Sequence, residues 1–137
     1  MQTPRKNFEI DVRPACEAYF NDGCSIWKAK AAVQSVNNFA EWTFQYYKKN
    51  DPAQLAGTNS VWEFKAHHAK LCQQFQSVWD LADAAKHRTL TKRTEFRTVT
   101  SSTGAWARTE NTLLLVRTRE EVDVLIGAAM AYWDKQI

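Results

Sequence analysis

Residues 60–87 read SVWEFKAHHAKLCQQFQSVWDLADAAKH, and this stretch decides the fold. One set of its residues recurs at alternating steps of three and four, which places the set along one side of a helix. Its members are Val61, Phe64, His68, Leu71, Phe75, Val78, Ala82 and Ala85. Ser60 and Glu63 form an S-x-x-E capping box, which satisfies free N–H groups at a helix start. The stretch therefore predicts one long amphipathic helix.

Helical patterns also cover residues 9–20, 26–49 and 119–135. Ser25 can cap the second of these segments, and Thr118 with Glu121 forms a capping box before the last one. Pro14 complicates the first segment, because proline is tolerated best in the first turn of a helix. We expect the two long helices, 26–49 and 60–87, to pack antiparallel as a hairpin.

A different pattern occupies the chain between the third and the last predicted helix. Residues 95–100 and 112–116 are rich in β-forming residues, and residues 101–104 have turn composition. We therefore predict a mainly α fold over residues 1–137: a single four-helix bundle-like domain with a polar lead at 1–7. A β-hairpin or small three-stranded meander at 94–117 precedes the last helix, and it needs the helices beneath it to be stable.

Composition and charge exclude several classes of protein. The chain has 137 residues, enough for one domain with a substantial core, and a net charge of +3, which is modest for a nucleic-acid coat. Three cysteines without C-x-x-C spacing favour neither a disulfide framework nor a zinc ribbon. No apolar run approaches ~18 residues, and no signal-peptide pattern is present. We expect a cytoplasmic protein without membrane contact.

A polar cluster lies at the end of the third predicted helix. Asp80, Asp83 and His87 are spaced three and four apart, so they share one face. Asp83 can accept a hydrogen bond from His87 and raise the basicity of the ring, and Lys86 adds a cation. Asp80, Asp83, Lys86 and His87 are therefore candidate catalytic residues for attack on a phosphodiester. The structural alternative is that Lys86 and His87 only complement the dipole at a helix C-terminus.

A basic connector follows this cluster. Between residues 86 and 97 the chain has five basic residues and one acidic residue, Glu95. Such a stretch can contact phosphates, although a solvated loop is the ordinary alternative. The candidate nucleic-acid-binding residues are Arg88, Lys92, Arg93 and Arg97.

The adjacent histidines give a weaker signal. His68 lies on the apolar side and is expected to be a hydrogen-bonded core residue, whereas His67 should lie at the edge. Cys72 follows His68 by four residues, but two ligands on one helix do not complete a metal site. The sequence contains no Walker loop, G-x-G-x-x-G, G-x-S-x-G or H-E-x-x-H motif. We predict no metal and no cofactor.

The segment from Asp80 to His87, the predicted hairpin and a last helix ending in Tyr132-Trp133 resemble a group of small uncharacterised bacterial proteins. In these a helix ends in D-x-A-[N/D]-x-x-K-H. More distantly, the helix pattern is similar to the HEPN superfamily of helical-bundle domains, which are often dimeric, occur in toxin–antitoxin and phage-defence systems and include many RNases. The usual arginine four to six residues before a histidine is absent here. The resemblance thus implies the helical fold and dimerisation rather than RNase activity.

Three functions are compatible with this pattern. The first is a HEPN-like module that contacts RNA or a nucleotide near Asp83 and His87, with or without cleavage. The second is a non-catalytic interaction domain, a homodimer or partner-binding protein, that uses surplus aromatic residues such as Trp27, Trp42 or Trp106. The third is a small-molecule binding domain with a pocket between the helices and the hairpin.

Overall fold

The structure is a computed structural model that describes residues 2–22, 25–87, 96–98, 107–112, 115–117 and 119–137. The first helix, α1, is continuous and consists of an α-helical segment Pro4–Asn7, a π-helical turn Phe8–Val12 and a second α-helical segment Arg13–Asn21. The other helices are α2 (Ile26–Asn50), α3 (Val61–Leu71), α4 (Gln73–His87) and α5 (Arg119–Gln136), and a 3₁₀ turn, Pro52–Leu55, follows α2. Within these ranges, every helix is too short or too polar to span a membrane.

Helix α1 begins within the residues that we expected to be a polar lead. The Thr3 hydroxyl accepts a hydrogen bond from the backbone N–H of Lys6, and Pro4 occupies the first helical turn, where its missing N–H is harmless. The π-helical turn comes just before Pro14, and there the Arg13 N–H bonds to the Phe8 carbonyl. This wider turn lets one helix continue past a proline, which cannot donate the usual hydrogen bond.

Helix α2 is the longest element, with 25 residues. The Ser25 hydroxyl accepts a hydrogen bond from the Lys28 N–H and caps its start, as the sequence predicts. One side of the helix is buried against its neighbours, including the apolar residues Ala29, Ala32, Val33, Val36, Phe39, Ala40 and Phe44. This buried side connects the first helix to the α3 and α4 pair.

The predicted long helix over residues 60–87 is two helices. The capping box is confirmed, because the Ser60 hydroxyl accepts from the Glu63 N–H and the Glu63 carboxylate accepts from the Asn59 N–H. The helix ends at Leu71, and Cys72 adopts an extended conformation with φ −144° and ψ 99°. The Cys72 carbonyl then accepts from the N–H groups of Phe75 and Gln76 and starts α4.

Helix α4 folds back along α3. The ring centroids of Trp62 and Trp79 are 6.4 Å apart. In one continuous helix these two positions would be separated by about 25 Å, at 1.5 Å per residue. We expected two long helices to pack as an antiparallel hairpin. That prediction is wrong for the second of them, which is two helices rather than one. Helices α3 and α4 form a short hairpin of their own.

The hydrophobic core is centred on Trp133 of α5. Its ring packs edge-on against Phe39 of α2 and Phe75 of α4, with centroid distances of 5.6 and 5.3 Å. Phe64 of α3 lies 6.1 Å from the same ring. Phe8 of α1 packs against Phe39 at 5.6 Å and brings the first helix into the cluster. Aromatic side chains from all five helices of the described chain thus meet in one core.

Polar contacts hold the first and last helices together at the surface. The Arg5 guanidinium pairs with the Asp134 carboxylate and donates to the backbone carbonyls of Asp134 and Ile137, at 2.7 and 3.2 Å. Toward the other end of the two helices, the buried Tyr19 hydroxyl donates to the Asp123 carboxylate. The cation Arg5 therefore lies at the C-terminus of α5, where the helix dipole favours positive charge.

The fold class predicted from the sequence is wrong. The helical body, which comprises the described residues 2–22, 25–87 and 119–137, contains five helices rather than four and no strand. Strands occur only outside this body and are short, at Phe96–Thr98, Ala107–Thr112 and Leu115–Arg117, with antiparallel pairing in chain order. The turn predicted at 101–104 lies outside the described residues. A β-hairpin insert is therefore not part of the fold class, and the described core is built by helices.

Candidate functional site

The predicted catalytic cluster is divided by burial. Asp80 is only 7% exposed, and its Oδ1 accepts a hydrogen bond of 3.1 Å from Nε2 of Gln76, one turn earlier in α4. Asp83 is half-buried on the next turn. Lys86 and His87 are helical, but their side chains lie outside the described part of the structure. The structure therefore brings Asp80 and Asp83 onto one helix side, with Asp80 facing the interior.

The predicted nucleic-acid-binding residues fall mostly outside the described ranges. Arg88, Lys92 and Arg93 lie outside the described ranges. Arg97 is described only as the middle residue of the strand Phe96–Thr98. Its register partner in the neighbouring strand is Arg108. The nucleic-acid-binding set therefore stays a prediction, as does the catalytic set.

A buried cation lies between α3 and α4. Lys65 is only 4% exposed, and its Nζ lies 4.4 Å from the centroid of the Trp79 ring, a cation–π contact. Asp80, the neighbour of Trp79 in sequence, is buried in the same hairpin. Buried charged groups require compensating partners. Asp80 is thus a buried charged residue, and the sequence pattern does not reveal its burial.

The histidine that the sequence assigns to the core is confirmed there. Nδ1 of His68 and Oη of Tyr132 are joined by a hydrogen bond of 2.6 Å, and the His68 ring lies 4.5 Å from that of Trp133. Burial, with a smaller contribution from the charge of His67, lowers the pKa of His68 to about 4. Burial also raises the pKa of Tyr132 to about 12. Both side chains are consequently neutral at physiological pH.

The described cysteines show no sign of a reactive centre. Burial raises the pKa of the Cys16 thiol to about 11, so the nucleophilic thiolate is scarce at neutral pH. Cys72 is buried at the α3–α4 break, where its Sγ lies 3.6 Å from the Gln74 side-chain oxygen. Within the described residues, no group of three or more His, Cys, Asp or Glu side chains is placed to hold a metal ion.

An aromatic and basic face on α2 was not identified as a site from the sequence. The rings of Trp42 and Tyr46 are stacked one turn apart, with centroids 5.5 Å apart and an interplanar angle of 21°. Both side chains are half-buried, and Lys49, one turn further on, is exposed. The spacing of these three residues, four and three apart along one helix, is the signal in the sequence that could have found them. We call Trp42, Tyr46 and Lys49 the α2 platform.

Comparison with known proteins does not assign the chain to a class. No protein-family model, curated protein or solved structure matches it. The functional argument therefore depends on the chemistry of the chain itself.

Proposed function

We propose that this protein is a helical module that contacts RNA, distantly similar to HEPN domains and acting in a bacterial defence or toxin–antitoxin setting. The distribution of charge carries the proposal. Residues 88–117 contain six basic and two acidic residues, a net charge of +4, whereas the rest of the chain has twelve basic and thirteen acidic residues, a net charge of −1. The basic residues of this stretch are Arg88, Lys92, Arg93, Arg97, Arg108 and Arg117.

This concentration matters because phosphate contact depends on local rather than total charge. A protein with a net charge of only +3 gains little from general attraction to RNA. A stretch with a net charge of +4, which directly follows the C-terminus of α4, can instead neutralise several neighbouring phosphates. Such contacts bind the backbone of the nucleic acid without reading its sequence.

The setting of Asp80 supports contact without cleavage by the predicted catalytic set. A general acid or base must come within hydrogen-bond distance of the reacting atoms. Asp80 is 7% exposed and already accepts a hydrogen bond from Gln76. A substrate could reach this carboxylate only if the helices that bury it moved apart. We therefore place the RNA contact in the basic connector and give Asp80 no catalytic role.

The proposal predicts that removing charge from the connector weakens RNA binding. Fluorescence anisotropy with a labelled single-stranded RNA should show at least about tenfold weaker binding for Arg88→Ala/Lys92→Ala/Arg93→Ala than for the parent, because each lost phosphate contact lowers affinity. The matched control removes three exposed cations of the helical body, Lys6, Lys70 and Lys135. Equal loss in both triple variants, or no binding by the parent, would contradict the proposal.

The same RNA samples should be run on a gel to test cleavage. We expect the RNA to remain intact with the parent protein. Cleavage that is lost in both Asp83→Ala and His87→Ala would instead establish a nuclease at the end of α4.

A second candidate function is a homodimeric interaction domain, and exposed aromatic side chains favour it. Trp27 is 72% exposed and Trp62 is 67% exposed, although tryptophan normally buries most of its surface. This function predicts that sedimentation velocity shows a dimer for the parent and a monomer for Trp27→Ser or Trp62→Ser. A monomeric parent at high concentration would eliminate it.

A further inference from the structure

We propose that the α2 platform binds an unpaired nucleic-acid base by stacking, so that the RNA contacted by this protein is single-stranded. The inference rests on the proposed function, because it assumes that RNA is the ligand. It adds a second contact of different chemistry, made to a base rather than to a phosphate. Aromatic side chains combined with cations are the usual means by which proteins hold single strands without reading their sequence.

The ring geometry distinguishes this pair from the other aromatic contacts. Among the described residues, two ring pairs are stacked nearly parallel, Trp42 with Tyr46 and Phe75 with Trp79. Phe75 and Trp79 are buried in the core, whereas Trp42 and Tyr46 are only half-buried. A stacked pair that is partly exposed to solvent offers some flat π surface, and a purine or pyrimidine can continue the stack.

The surroundings of the platform favour a polar, anionic ligand over an apolar protein surface. The neighbouring positions on the same side of α2 include Asn38 and Gln45, both exposed and both able to donate and accept hydrogen bonds. One acidic residue, the half-buried Glu41, flanks them. Lys49 lies one turn beyond Tyr46, and Lys48 adjoins it. Neither lysine forms an ion pair within the described part of the chain. A base on the rings would place its phosphates within reach of these ammonium groups.

Burial on the other side of the helix shows that the platform is not an unfinished part of the core. Thr43 and Phe44, which lie between the two rings in sequence, are fully enclosed. Helix α2 therefore already has a buried inner side, and the platform belongs to its outer side. Charge complementarity and ring exposure together select a single-stranded nucleic acid as the occupant.

The test compares removal of the rings with their conservative replacement. Trp42→Leu and Tyr46→Leu remove the aromatic surface, whereas Trp42→Phe and Tyr46→Phe retain a ring on the same backbone. Binding is measured by anisotropy with a labelled oligoadenylate, and inorganic polyphosphate serves as an anion that has no base. Circular dichroism and thermal melting confirm that each variant is folded.

We expect each leucine variant to bind oligoadenylate roughly 5- to 150-fold more weakly than the parent, the range for loss of one stacked base. The phenylalanine variants should bind as the parent does, and polyphosphate affinity should be the same for all five proteins. Leucine variants that bind oligoadenylate like the parent would overturn the inference. Equal losses for oligoadenylate and polyphosphate would also overturn it, since the rings would then act through charge or folding.

Two further outcomes separate this inference from the proposed function. If the parent binds RNA and only the connector variants are weakened, the platform fails while the proposed function stands. If the leucine variants convert a dimer into a monomer in sedimentation, the rings form a contact between copies of the chain and the inference is overturned. A parent that binds neither RNA nor polyphosphate would remove both proposals.

Discussion

Replacing Trp133 by alanine is expected to lower the free energy of unfolding by about 3–5 kcal/mol, the usual cost of truncating a large buried aromatic residue. Trp133 is 1% exposed and occupies the centre of the core. Its ring contacts side chains from three other helices, namely Phe39, Phe64, His68 and Phe75. The alanine variant would leave a cavity that no single helix movement can close, because the surrounding helices are held by separate contacts.

Urea denaturation followed by far-UV circular dichroism measures this loss. Trp133→Phe is the matched control, since it retains a ring and removes only part of the volume. The Nε1 of Trp133 has no hydrogen-bond partner within the described residues, so the phenylalanine variant gives up no hydrogen bond there. We expect this variant to lose about 1–2 kcal/mol, in the ordinary range for a core substitution. An alanine variant within about 1 kcal/mol of the parent would contradict the assignment of Trp133 to the core centre.

Protonation of His68 is expected to destabilise the fold at mildly acidic pH. The pKa of His68 is lowered to about 4 in the folded protein, against an ordinary value of 6.5. Between these two pH values the unfolded chain binds a proton that the folded chain does not, so stability falls as pH falls. The stabilisation is complete above about pH 6.5 and is lost by about pH 4. Its size is on the order of 3 kcal/mol, from about 1.4 kcal/mol per pKa unit.

The measurement is the urea midpoint as a function of pH between these limits, for the parent and two variants. His68→Phe retains a ring in the same position but cannot take up a proton, so the slope in this range should largely disappear. His67→Gln tests the adjacent half-buried histidine, and most of the slope should remain in it, because burial is the larger cause of the lowered His68 pKa and the charge of His67 the smaller. An unchanged pH dependence in His68→Phe would show that other groups cause the acid sensitivity.

Local signals in the sequence were sufficient for the helix starts and for the core histidine. Ser25 and Ser60 cap the helices that their positions predicted, and His68 is buried as its place on the apolar side implied. These features depend on residues three or four apart. A repeat of that length is visible without knowledge of the tertiary structure.

The break at Cys72 could not be predicted by the same method. No glycine or proline marks it, and the three–four pattern continues across it because α3 and α4 both bury one side against the same aromatic cluster. The one visible consequence is Leu71, which the pattern placed in the core but which is 63% exposed. Tertiary packing, rather than a local breaker, therefore decides where this helix ends.

The burial of Asp80 could not be predicted from the sequence pattern either. Its spacing from Asp83 correctly placed both carboxylates on one helix side. Whether that side is open depends on how the helices pack, and helix packing joins residues far apart in sequence. Likewise, the sequence shows that Trp42 and Tyr46 are one helical turn apart. Whether their rings are half-buried and stacked depends on which side of α2 packs against the core.

The most direct test of the central claim, that the connector contacts RNA, is the salt dependence of binding. For single strands, the logarithm of the binding constant falls by about 0.7 per phosphate contact for each unit in the logarithm of salt concentration. We predict that Arg88→Ala/Lys92→Ala/Arg93→Ala lowers this slope by about 2, while alanine at Lys6, Lys70 and Lys135 leaves it unchanged. An identical slope for the parent and both triple variants would contradict the claim, because RNA would then be held away from the connector.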